Sequence, residues 1–206
     1  MEFALIMLMI AVAWHVLRVR YQRARIALLG SHLVNMNLER HMETLTQGYT
    51  RAIHEDNESR QRQVLDTFTQ TENVVAANVH TLAESMQKES TEDTAMGTFA
   101  FCVPYIERCV PATALRDFRI LLRIHATGLR ATIDNQAELD PKTRAFHIAA
   151  ELYLLQHSCH WFCKSRGVAD ARLLLRHKVE HKKVLESVSA VTRTAYTKWL
   201  QSNGTT

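Results

Sequence analysis

The chain has 206 residues, of which 47% are hydrophobic and 22% charged. That supports a buried core and excludes a disordered polyelectrolyte. Only 6 Gly and 3 Pro are present, which argues against a collagen, a Gly-rich linker or a turn-dense β-sandwich, and 4 Cys do not make a disulfide scaffold. Charge divides the chain in three. Residues 1–30 hold 4 Lys or Arg and 1 acid, 31–97 hold 5 and 11, and 98–206 hold 16 and 9. The expected class is all-α: a single N-terminal transmembrane helix, a helical stalk and a C-terminal antiparallel helical bundle, divided as residues 1–30, 31–97 and 98–206.

The N-terminal segment carries no formal charge from Phe3 to Leu17. As a helix this run rises about 22 Å, short of a hydrocarbon core of about 30 Å. Trp14 suits a membrane interface, and Arg18, Arg20, Arg23 and Arg25 can snorkel to it, so residues 3–25 are the expected lipid contact. Glu2 at the start and the Arg-rich flank are the wrong way round for a cleaved signal peptide. The arginines place the N-terminus outside and the bulk of the chain in the cytoplasm as a single-pass protein, with the cysteines as thiols.

From Ser31 to Gly97 the sequence is acidic and lacks Pro. Leu38, Met42, Leu45, Tyr49 and Ala52 form one helical seam, and Leu65, Phe68, Glu72, Val75, Val79, Leu82 and Met86 form another. The polar stretch from His54 to Gln63 separates them, out of register. Such seams are covered either by a second chain, as a coiled coil, or by the bundle. Glu72 on the seam opposes a close parallel pair, which favours packing of 64–96 on the bundle.

KESTEDTAMG reads as a polar linker to the basic C-terminal region. Three helices are expected there. The first spans about Pro111–Ile133, with Leu115, Phe118, Leu122, His125, Leu129 and Ile133 on one face. The second starts at Asp140 as N-cap with Pro141 behind it and ends near Gly167 as a C′ residue. The third runs from Val168 to Leu200, with Leu174, His177, His181, Val184, Val188, Val191 and Ala195 as its buried stripe. Between Ala145 and Cys163 Glu151 is the one charged residue. This is the pattern of a central bundle helix, and the polar His147, Gln156, His157 and His160 count against a second membrane span.

Signatures of common chemistries are missing. The sequence has no G-x-G-x-x-G, P-loop, G-x-S-x-G, C-x-x-C or H-E-x-x-H. The S-x-x-K at Ser85 lacks its companion motifs. His177–His181 matches H-x-x-E-H, the letters of an inverted zinc-protease motif, provided that one helix carries both histidines. His157, Cys159, His160 and Cys163 are spaced to share helical faces and could hold zinc or copper, with His177, His181, Cys102 or Cys109 recruited from neighbours. His147 and Glu151 stand one turn apart as a candidate proton-transfer pair. Arg172, Arg176, Lys178, Lys182, Lys183 and Lys198 give a basic face for anionic lipid or the acidic 31–97 segment; no nucleic-acid fold signature accompanies it. The leading expectation is a non-enzymatic, membrane-tethered interaction or assembly protein with a protein partner, or a second copy of itself, at the cytoplasmic membrane face. The alternatives are a metal-binding bundle and a nucleic-acid-binding membrane protein.

Overall fold

The computed structural model describes residues 2–202; Met1 and 203–206, included in the outer segments above, lie outside it. The protein is all-α with a single two-stranded sheet among the described residues. Helix α1, Glu2–Leu33, is unbroken, since nothing before Gly30 interrupts it, and it stops where Asn35 and Asn37 adopt left-handed backbone. Helix α2, Leu38–Ile53, buries Leu38, Leu45, Tyr49 and Ala52. Helix α3, Glu58–Asp66, starts where the Asn57 side chain accepts from Arg60 N. Helix α4, Thr69–Met86, and the four-residue α5, Thr91–Thr94, lead into strand β1, Ala95–Gly97. Strand β2, Leu115–Asp117, pairs antiparallel with β1, Ala95 facing Asp117, and so closes residues 98–114 into a loop.

Helix α6, Phe118–Ile133, begins at the Asp117 cap. Helix α7, Pro141–Cys163, begins as its sequence predicts: the Asp140 carboxylate accepts from Lys142 N and Thr143 N at 3.1 Å, with Pro141 in the first turn. Helices α8, Arg166–His177, α9, His181–Ser187, and α10, Ala190–Gln201, follow.

One core runs from Leu29 of α1 to Trp199 of α10. Helix α4 lies against α6, and α7 is enclosed by α1, α2, α3, α6, α8 and α9, which explains its apolar residues on every side. Both seams of the 31–97 segment face inward: Leu65, Val75, Val79, Leu82 and Met86 are all buried within the chain. The 31–97 helices thus share their core with those of 98–206, and the expected boundary at residue 97 does not divide it. Glu72 has a partner there. Its carboxylate accepts from Tyr49 Oη at 2.5 Å and from Arg144 Nη1 at 2.9 Å, so a charge unsuited to a dimer seam is paired inside the fold. The expected linker is structured too, with Thr94, Ala95 and Met96 buried.

Three other expectations are corrected. The helix expected from Pro111 starts only at Phe118, because Leu115–Asp117 pair with β1 as a strand and Leu115 is not on a helix face. The long third helix is three. Lys178 takes left-handed backbone (φ 55°) between α8 and α9, and the Ser189 side chain caps α10 by accepting from Thr192 N. The register shifts, so that Leu173 is buried while Leu174 and Val191 are exposed. Gly167 is not a C′ residue: it lies in the first turn of α8 and donates its N–H to Ala100 O at 2.8 Å. A Cβ there would stand 2.7 Å from that oxygen, so close approach of two backbones is what requires glycine.

Candidate functional site

Helix α1 changes character along its length. Residues 2–18 are exposed throughout, Trp14 among them, and so are Arg20 and Arg23. From Tyr21 onward one side is built into the core through Tyr21, Arg25 and Leu29. Arg25 is therefore set apart from the exposed Arg18, Arg20 and Arg23. It is 7% exposed, donates to Phe162 O at 3.2 Å and to Ala95 O, and lies over the rings of Tyr21 and Phe162. Glu107 stands 3.9 Å away to balance its charge. By length and composition α1 is a helix able to cross a membrane.

The histidines meet in a buried polar network rather than a ligand set. His125 Nε2 lies 2.9 Å from Ser158 Oγ, which itself donates to Leu154 O. His157 Nε2 donates to Asp170 Oδ1 at 2.8 Å, and its ring stacks on that of His181 with centroids 4.3 Å apart. His181 Nε2 lies 3.1 Å from Tyr196 Oη. Burial pushes His125 down to about 3, and burial together with the neighbouring His157 pushes His181 down to about 4. Burial also lowers His157, against the pull of Asp170. These rings are neutral at pH 7. Ser158 is wholly buried and its histidine lacks an acid partner, so the group has no triad geometry.

The other candidates disperse. His177 pairs with Gln156 Oε1 at 3.0 Å, and the break at Lys178 removes the single helix that H-x-x-E-H requires. His160 accepts from Arg172 Nη1 at 3.2 Å. Burial raises the Cys159 thiol and raises that of Cys163 to about 11. Among the described residues no three His, Cys, Asp or Glu side chains converge on a common point. His147 turns to Ser187 O at 2.8 Å and away from Glu151. Glu151 instead receives Ser189 N at 3.1 Å, Ser189 Oγ at 2.8 Å and Thr192 Oγ1 at 2.9 Å. It holds the N-terminus of α10 to α7. Burial lifts its pKa to about 7, opposed by the bonds from Thr192 and Ser189. Ser189, a preferred N-cap residue, is the sequence signal that could have marked this joint. The basic residues expected on one face are likewise divided among α8, α9 and α10.

A cleft of about 890 Å³ opens between the second half of α1, the start of α2, α7 and α8. Its floor is apolar, with Ile26, Leu29, Leu33 and Leu155; Arg40, Lys164 and Arg172 stand among its polar groups. A second hollow, about 460 Å³, shares Glu39, Met42, Glu43 and Gln156 with it and extends it toward Arg176 and His177. Cys159, His160 and Cys163 line the first hollow, so that part of the ligand-rich stretch does face a site. The α1 half of the cleft was missed because Ile26–Leu33 follows the arginines and reads as the tail of an anchor. An apolar floor with mixed charges around it suits an amphipathic segment better than a small polar substrate. No protein-family model, curated protein or solved structure matches the chain.

Proposed function

We propose that the chain is a membrane-tethered interaction protein. Helix α1 crosses the bilayer with its N-terminus outside, and the helical domain from Tyr21 onward docks a protein partner at the cytoplasmic face. The observation that carries this reading is the division of α1. Its first half presents Phe3, Leu5, Leu8 and Ile10, exposed by 77%, 63%, 60% and 58%, and packs against nothing in the domain. A continuous apolar surface of that kind needs a cover. Residues 2–20 rise about 28 Å, close to a hydrocarbon core with snorkelling arginines at one end. Arg18, Arg20 and Arg23 at that end favour the cytoplasmic side. The cleft beside α1 supports the docking role, since tethering concentrates the domain near other membrane proteins.

Two measurements test the reading. The full chain should remain in the membrane after alkaline carbonate extraction, and a reporter after Thr206 should be active as a cytoplasmic fusion. A photo-crosslinking residue in place of Met42, in the cleft, should form a discrete adduct in native membranes, whereas one at the exposed Arg62 should not. Release by carbonate overturns the tether, and an outside reporter overturns the cytoplasmic placing of the domain. Equal adducts at both positions overturn the cleft as the docking place, and an adduct of twice the chain mass makes the partner a second copy.

A further inference from the structure

We infer that the loop after β1 is a second membrane contact, with Phe99 and Phe101 entering the headgroup–acyl boundary of the leaflet from which α1 emerges; this rests on α1 crossing the bilayer. The two rings are 43% and 66% exposed and lie 6.0 Å apart, so they form one apolar tip instead of two scattered side chains. The tip is held in place. The β1–β2 pair closes the loop, Trp161 Nε1 donates to Gly97 O at 3.0 Å, and Gly167 N donates to Ala100 O between the two phenylalanines.

Its position along α1 gives its depth. Next in sequence, Cys102 is raised by burial and pulled back by Gln22, Arg25 and Arg18, which places this part of the loop beside that turn of α1. Tyr21 and Arg25 line one hollow together with both phenylalanines. Arg18 follows directly on the apolar run, and Gln22 lies about 6 Å further along the helix axis. The interfacial layer is itself about 5–7 Å thick on each side of the hydrocarbon core, so an aromatic side chain at this level reaches it. The charges agree. Arg18, Arg20 and Arg23 are exposed on the adjoining α1, while Glu107, the one acid between residues 98 and 114, is turned inward to Tyr21 Oη at 2.9 Å. The exposed acids Glu92 and Asp93 line the hollow that runs on along α1 to Ala24 and Leu28, and Arg108 pairs with Glu92 there, so the tip itself is apolar with Arg18, Arg20 and Arg23 on its anchor side, which fits an anionic lipid leaflet better than a second protein.

The test uses the full chain in phosphatidylcholine–phosphatidylglycerol vesicles, with the four native cysteines replaced by alanine. Single cysteines from Phe101→Cys, Leu8→Cys and Arg62→Cys carry an NBD fluorophore, and lipids bear a nitroxide at a shallow or a deep acyl position. Position 101 should be blue-shifted and quenched more by the shallow nitroxide than by the deep one. Position 8 should be quenched by the deep one, and position 62, on the α3 side of the domain, by neither. Quenching at 8 with none at 101 overturns the loop contact and leaves the anchor standing. Absence of quenching at 8 overturns the anchor and this inference with it. A blue shift at 101 without quenching means that protein covers the tip, which also overturns the inference. Phe99→Cys repeats the measurement on the neighbouring side chain and guards against a local disturbance at 101.

Discussion

Glu151→Gln isolates a buried carboxyl whose ionisation opposes folding. The carboxyl of Glu151 is 1% exposed, and burial raises its pKa to about 7 from the ordinary 4.5. Between those two values the folded chain keeps a proton that the unfolded chain has released, so raising the pH favours unfolding. A gap of about 2.5 units corresponds to about 3 kcal/mol, fully present as a destabilisation above pH 7 and gone below pH 4.5. Gln keeps the shape: its oxygen can accept from Ser189 N and Ser189 Oγ, and its NH₂ can donate to Thr192 Oγ1. The buried histidines act with the opposite sign. His125 and His181, held near 3 and 4, make the protein less stable as pH falls below about 6.5, so the wild-type curve alone is a composite. The difference between variant and wild type removes them. Urea unfolding followed by helical circular dichroism, on a chain starting at Arg18 that keeps every buried residue, should show the variant gaining about 3 kcal/mol relative to wild type between pH 4.5 and 7 and levelling off above. A pH-independent difference would refute the assignment of this ionisation to Glu151.

Arg144→Ala should cost about 3–5 kcal/mol in the same assay, because it leaves the Glu72 carboxylate buried without its cation. Adding Glu72→Gln should recover part of that loss, and a double variant as unstable as the single one would contradict the pairing. Gly128→Ala should cost about 1–3 kcal/mol, since the new methyl falls on Thr192 Oγ1 and must push α10 off α6; an unchanged urea midpoint would show that this contact is slack. Val79→Cys, in full chain lacking the native cysteines, should give no disulfide between chains under oxidation in membranes, since Val79 is 0% exposed inside the α4–α6 packing. Efficient cross-linking would mean that α4 pairs with a second chain.

Helix signals that depend on local chemistry were legible in the sequence. Asp140 and Pro141 set the start of α7, and the 3–4 spacing from Leu65 to Met86 marked the buried face of α3 and α4. The break between α8 and α9 was not, because Lys178, Val179 and Glu180 include no Gly or Pro and a left-handed lysine leaves no local mark. That one residue undid both the stripe built on Leu174 and the paired histidines of H-x-x-E-H. Gly48 shows another limit. Within α2 it reads as a weak point, yet its missing side chain makes room for the Phe68 ring, which packs edge-on against Tyr49. Arg25 shows the same thing for the site. It belongs to a series of four arginines in sequence, and only Phe162 O and Ala95 O, 137 and 70 residues away, set it apart.

That arginine bears directly on how a tethered domain would work. Anchors joined to their domains by flexible linkers leave the domain free to swing, and a docking cleft then faces every direction. Here α1 has no linker: the helix whose uncharged run ends at Leu17 is held to the ends of β1 and α7 by Arg25, two turns later, and forms a wall of the cleft from Ile26 to Leu33. Along the axis that wall lies about 13–24 Å beyond Leu17. The cleft would therefore open at a fixed height just above the headgroups, at a bearing set by the rotation of α1. A partner able to use it is one whose own segment lies at that height, such as the juxtamembrane helix of another membrane protein. The phenylalanine loop, fixed beside the same turn of α1, would oppose tilting of the domain and so hold the cleft at that height.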